Sequence, residues 1–358
     1  MTCFKRIVAL SLAVILSCIC LAGCNSVKSG TDTAMRSVVD MTGNTIEIPE
    51  KVDKVFVDWA SGITLVMTLG ATDKLVVAPT AFESDTFAWA RIICPAIDDV
   101  EKNDDAYTNV EVALEYEPDI VITNDINNID VYAKVGLTAI YVNFNSNESF
   151  KESMLIVGTA LGENELKAAE KYNQYFDDNV AMVSDRLAGV PDVQKPSVYY
   201  VDSRFVDAYH TVGRGEIQEE WITIAGAKLA TADDFEGRNL EITAEKFLTL
   251  DPDIIMIGAQ NQADVYDILM ADKVLSGLSA IDNNSVYRIP QGIFPWCRTG
   301  AEAAIQVVWA AKLLYPDLFN DIEIESVARD FYSEFYGSEV SDDTLDGILS
   351  GKLCPTGK

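Results

Sequence analysis

One histidine stands in 358 residues, and basic residues are scarce: 27 Lys and Arg against 56 Asp and Glu, a formal charge of −29. A chain so acidic is a poor partner for nucleic acid, because phosphate contacts need lysine and arginine. A lone His210 cannot build the several-histidine site that extracellular zinc or manganese capture uses. Cysteine is nearly as thin. Of seven, Cys3, Cys18 and Cys20 fall in an apolar leader and Cys24 closes it. That leaves Cys94, Cys297 and Cys354, an odd number without CxxC spacing, so a disulfide framework is not expected. With scattered thiols and no Ser-His-Asp order, catalytic groups are missing too.

What is present begins at the N-terminus. Lys5 and Arg6 precede an almost unbroken apolar run from Ile7 to Leu21. About 15 residues is too short to span a bilayer comfortably, so residues 1–23 read as a signal peptide. Leu21-Ala22-Gly23-Cys24 resembles the bacterial lipobox, which implies a diacylglycerol on Cys24 and a membrane anchor outside the cytoplasm. A plain secretory peptide is the alternative. Residues 24–36 are small and polar, a tether with too little apolar surface to pack.

The remainder is long for one hydrophobic core, so two domains are expected. Val38 to Pro49 reads as a hairpin around Thr42-Gly43-Asn44. Lys54–Asp58 is a compact strand, Ile63–Leu69 a helix closed by Gly70, and Lys74–Ala78 a further strand. Strand–helix–strand alternation implies parallel pairing with helices on both faces. The clearest internal signal is a repeat: Glu111 to Thr123 (EVALEYEPDIVIT) returns as Glu245 to Ile257 (EKFLTLDPDIIMI). Each copy is a short helix, a Pro-Asp stop and a buried strand. Two copies imply two similar lobes.

Between them, Leu166, Ala169, Tyr172, Phe176, Val180, Val183 and Leu187 fall on one helical stripe. A helix of roughly 24 residues would span about 36 Å, the width of a domain. The expected architecture is α/β: two Rossmann-like lobes joined by one long helix. The boundaries are 37–147 for the first lobe, 148–190 for the connecting helix, 191–325 for the second lobe and 326–358 for C-terminal helices and tail.

Four motifs in this order then carry a family resemblance over nearly all of residues 36–350. They are Val39-Asp40-x-x-Gly43 with Ile48-Pro49; Leu69-Gly70-Ala71-x-Asp73-Lys74-Leu75-Val76-Val77; the paired Glu-x6-Pro-Asp; and Val286-Tyr287-Arg288-Ile289-Pro290 with Trp296 and the Trp309–Tyr315 helix. The chain resembles the substrate-binding proteins of type II ABC importers, the group serving ferric siderophores, haem and cobalamin. The resemblance implies a monomer with an inter-lobe cleft, no enzymatic activity and no resident cofactor. It also implies docking of Glu111 and Glu245 onto arginines of an ABC permease dimer with its ATPase.

The cleft should lie at the carboxyl ends of the strands. Its expected ligand contacts are Trp59, Ser61, Phe82 and Tyr107 on the first lobe and Arg204, Tyr209, Arg214, Trp296 and Arg298 on the second. Aromatic faces with arginines suit a large, flat or partly anionic chelate. A ferric-siderophore-type iron chelate leads, with haem or a corrinoid as the alternative; a free oxyanion such as molybdate is not expected. His210 and the tyrosines could ligate a metal, but no spacing demands it. Metal chelatases share the fold class by analogy alone.

Overall fold

The computed structural model describes residues 34–107 and 109–354; the leader, Cys24 and most of the tether lie outside them. Strand Met35–Val39 pairs antiparallel with Thr45–Pro49, Met35 opposite Pro49. The buried Asp40 carboxylate fixes the turn by accepting from the Thr42 (2.9 Å) and Asn44 (3.3 Å) amides, and Gly43 supplies the left-handed residue at φ 79°.

In the first lobe, Val55–Val57, Ile120–Thr123 and Ala139–Tyr141 form a parallel sheet with Ile120–Thr123 central. All four residues of that central strand are buried, as a parallel strand covered on both faces requires. The expected strand at Lys74–Ala78 does not form. Thr72–Lys74 is a 3-10 turn, and the segment meets the sheet in a single bridge, Leu75 beside Val55, with the Val76 amide donating to Val55 O at 3.0 Å. The turn consumes its first residues, and Pro79, without an N–H, ends its pairing. The second lobe orders its parallel strands Val286–Arg288, Ile254–Gly258, Ser197–Asp202 and Lys228–Leu229.

The repeat folds as the same unit twice. Val110–Tyr116 is capped by Asn109, and Ala244–Leu250 by Thr243. Each helix ends on a left-handed acidic residue just before proline, Glu117 (φ 47°) and Asp251 (φ 34°). The Pro-Asp aspartate then reaches sideways. Asp119 accepts from the Asp53 and Lys54 amides at 2.8 and 2.9 Å, ahead of Val55–Val57. Asp253 accepts from the Ser197 amide and hydroxyl at 2.8 and 2.9 Å, at the start of Ser197–Asp202. The motif therefore pins the outer end of the neighbouring parallel strand as well as stopping its own helix.

Within residues 148–190 the long connector is preceded by a further helix. Asn147–Leu161 ends at Gly162, and Glu163–Leu187 follows as the long connector. The two cross at Gly158, where any Cβ would lie 2.8 Å from the Glu165 carbonyl oxygen. The connector is tied to helix Ala303–Leu314 and the turn before it. The Tyr172 hydroxyl donates to Ala301 O (3.0 Å), and Asn179 Nδ2 donates to Ala304 O (2.8 Å).

Helices Ile324–Tyr336 and Asp342–Leu349 return to the first lobe. There the Tyr336 and Thr68 hydroxyls meet at 2.7 Å, and Trp89 Nε1 donates to Lys352 O (2.9 Å). One apolar cluster consequently runs from Val55 through Tyr172 to Val198 and Trp309. From Met35 onward the chain is a single contact unit, a construction that resists wide opening of the lobes.

Candidate functional site

The carboxyl ends of strands from both lobes converge on a cavity of about 420 Å³. The first lobe contributes Ser61, Asn124, Asn143, Phe144 and Asn145. The second contributes Tyr200, Asp202 and Arg204 from the end of Ser197–Asp202 and the turn after it. Glu216, Ile217 and Gln218 come from the start of helix Ile217–Ile224, and Arg238, Phe294, Arg298 and Thr299 from loops. Apolar side chains are a minority of this wall.

Three arginines face the cavity in different states. Arg204 is committed: Asp202, buried at 3% exposure, takes its Nε at 2.8 and 3.0 Å and also its Nη2, which is shared with Asn239 at 2.9 Å. Arg238 is loosely paired, its Nε 3.3 Å from Glu216. Among the described residues the Arg298 guanidinium makes no ion pair and no hydrogen bond, although it is only partly exposed. A half-buried, unspent guanidinium is a strong anion receptor, with planar donors suited to two oxygens at once.

The loop carrying Arg298 is held from behind. Gln218 Nε2 donates to Cys297 O at 3.0 Å. The Cys297 thiol packs on the Tyr200 ring over Gly258, where a Cβ would lie 2.5 Å from that ring. Deeper still, the Glu302 carboxylate accepts from the Ile293 and Phe294 amides at 2.6 and 3.3 Å. Burial pushes this carboxyl up to about 7. Cys94, Cys297 and Cys354 are all buried, and none forms a disulfide among the described residues.

Of the expected contacts, Ser61, Arg204 and Arg298 line the cavity. Trp59 and Tyr107 line an adjoining hollow of about 450 Å³ that shares Asn124 with it. Trp59 leans on Phe144 at 6.0 Å, and burial raises the Tyr107 phenol to about 12. The other four line neither hollow. Phe82 is fully buried and stacks on Phe87 at 4.3 Å, and Trp296 is likewise fully buried, so neither presents a face to a ligand. The Tyr209 hydroxyl is spent on Asp272 at 2.6 Å, outside the lining. Arg214 is exposed beside Glu236, 3.7 Å away, also outside it. His210 stacks on Phe205 and bonds Asp207 at 2.7 Å. Arg238, Glu216 and Gln218 were not foreseen; only the sheet's geometry brings these segments together.

Glu111 and Glu245 are exposed in the first turns of the two repeat helices and make no ion pair among the described residues. No helix among the described residues is long and apolar enough to cross a membrane.

Comparison with known proteins agrees with this geometry. A family model described as "Periplasmic binding protein" matches residues 56–292. The Haemophilus influenzae molybdate-binding protein MolA is 22% identical over 336 residues, covering 87% of this chain and 93% of that one. The Bacillus subtilis Fe(3+)-citrate-binding protein YfmC is 19% identical over 288 residues, covering 79% and 89%. Among solved structures, a periplasmic solute-binding protein from Veillonella parvula superposes with TM-score 0.78 at 22% identity, covering 88% of this chain and 97% of its own. Molybdate-bound MolA gives 0.74 at 19%, covering 86% and 99%. At these identities the structural likeness speaks for the fold, while the family match spans most of both lobes. The chain belongs to the periplasmic binding protein family, and is the extracytoplasmic solute-binding component of an ABC transporter rather than an enzyme.

Proposed function

We propose that this protein captures a hydrophilic, anionic iron chelate of the ferric-carboxylate kind and hands it to its permease. The observation that carries this reading is the unspent Arg298 guanidinium in a cleft lined mainly by amides, carboxylates and arginines. Haem and corrinoids present broad apolar faces, and this wall offers few apolar side chains to receive them. Size argues against a lone tetrahedral oxyanion. At about 30 Å³ per water, the 420 Å³ cavity holds many waters, of which such an ion would displace few. The iron-citrate-binding and molybdate-binding relatives agree on an anion and differ on its size.

Titrating residues 25–358 with ferric citrate, ferric hydroxamate and catecholate chelates, molybdate, haemin and cobalamin, followed by tryptophan fluorescence, tests the reading. Saturable binding of ferric citrate below the micromolar range is expected. Binding of haemin or cobalamin alone would overturn it.

The reading extends to delivery. Cys24 would carry the lipid that holds the protein at the membrane, and Glu111 and Glu245 would meet basic residues on the two permease subunits. Their support is equivalence: each sits at the same turn of the same repeated unit, exposed and unpaired among the described residues. Reversing both charges, Glu111→Arg with Glu245→Arg, should reduce transport at least tenfold and leave ligand affinity unchanged, with each single reversal intermediate. Unimpaired uptake by the double variant would remove the docking role.

A further inference from the structure

Three arginines face the cleft, yet the protein spends two of them on its own carboxylates. Asp202 holds Arg204 through both oxygens, leaving mainly Nη1 uncommitted. Glu216, at the start of helix Ile217–Ile224, sits 3.3 Å from Arg238 Nε, and its side chain is only 15% exposed. A site built only to maximise attraction for a highly charged chelate would leave all three guanidiniums free.

We propose that Asp202 and Glu216 act as a charge filter, setting the cleft for anions of low net charge and making Glu216 a specificity-determining residue. Resting on the anion reading above, this adds the charge class of the ligand. The ligand pairs directly with Arg298, while Arg204 and Arg238 offer their remaining N–H groups as donors whose charge is already balanced. Those donors orient an oxygen-rich ligand without drawing in multiply charged anions, the repulsive half of selectivity. A carboxylate on the wall also penalises each extra negative charge on the ligand, and it does so through a field that salt screens.

Glu216 is the residue to test, because Asp202 is buried and Glu216 makes no side-chain hydrogen bond or ion pair beyond Arg238 among the described residues. Ferric citrate is the probe, or molybdate if the unaltered protein binds that instead. Glu216→Gln should tighten binding by about fivefold at low ionic strength, the scale of one charge removed several ångströms away at high effective dielectric. The gain should vanish near 0.5 M salt, where the screening length is only a few ångströms. Glu216→Asp, which keeps the charge, should not tighten binding. Weaker or unchanged binding by Glu216→Gln, a gain that persists in high salt, or Glu216→Asp behaving like Glu216→Gln would each overturn the filter. If the unaltered protein binds neither anion, the anion reading itself falls and the filter with it.

Discussion

Replacing Arg298 with alanine should weaken ligand binding by about a hundredfold or more while leaving the protein folded. Arg298 is partly exposed and makes no side-chain bond among the described residues, so truncation orphans nothing in the resting structure. In the complex the loss is different in kind. A guanidinium facing a carboxylate or oxyanion in a partly dry cleft makes short, charge-assisted, bidentate bonds. Removing one partner of such a pair costs about 2–5 kcal/mol, and each 1.4 kcal/mol is a factor of ten.

Arg298→Lys should recover only part of this, because an ammonium keeps the charge but cannot present two parallel donors. Isothermal titration with the best ligand of the panel, beside thermal unfolding of each variant, provides the check. If Arg298→Ala binds within threefold of the unaltered protein, the anchor lies elsewhere and the cleft reading must move. Arg204→Ala should do less to affinity and more to stability, since it leaves the buried Asp202 carboxylate without its main partner.

The same contrast explains how much of the molecule could be read from its residues. The repeat was legible because its cause is local: a capped helix, a proline and an aspartate act over a dozen residues wherever they occur. The connector was legible because Ala169, Tyr172, Phe176 and Val183 keep helical spacing, and all four are buried. What lay outside local chemistry was not decided by the sequence. Aromatic residues near strand ends suit a cleft wall or a core equally well, and Phe82 and Trp296 went to the core, where a large ring contributes more by full burial.

The arginines separate by partner rather than by position. Arg204 and Arg298 both follow strand ends, but only the fold shows that one is clamped by Asp202 and the other is free. Arg238 and Glu216 lie 22 residues apart. The turn that joins them depends on Arg214 and Glu236 running side by side, with the Arg214 amide on Phe235 O at 2.9 Å. No periodicity announces such a contact.

Glu302 gives the second large effect, and it should appear as a pH dependence of stability. The side chain is 2% exposed. Tyr332, Tyr336 and Tyr172 are the titratable groups whose fields reach it, from helix Ile324–Tyr336 and from the connector. No cation is among them to favour the carboxylate. Burial raises its folded-state pKa from 4.5 to about 7, despite the Ile293 and Phe294 amides that pull the other way.

A carboxyl raised in the folded state binds its proton more tightly there than in the unfolded chain. Its contribution is therefore fully present below pH 4.5 and is lost as pH climbs through 7. A shift of this size corresponds to roughly 3 kcal/mol. Glu302→Gln cannot ionise, yet it keeps an oxygen for the Ile293 amide. The variant should match the unaltered protein near pH 4.5 and exceed its stability by about 3 kcal/mol at pH 8. Denaturant unfolding at the two pH values measures this, and parallel profiles would show that the carboxyl titrates at its ordinary value.

Gly292 shows why no simpler residue fills the space. A Cβ there would fall 2.6 Å from Glu302 Oε1 and closer still to the Tyr332 hydroxyl, so the backbone itself presses against the carboxylate. The same two amides fix the turn that carries Phe294 and Arg298 into the cleft. The energy spent on a charged Glu302 above neutral pH is thus spent holding in place the loop of Arg298, the proposed anion partner.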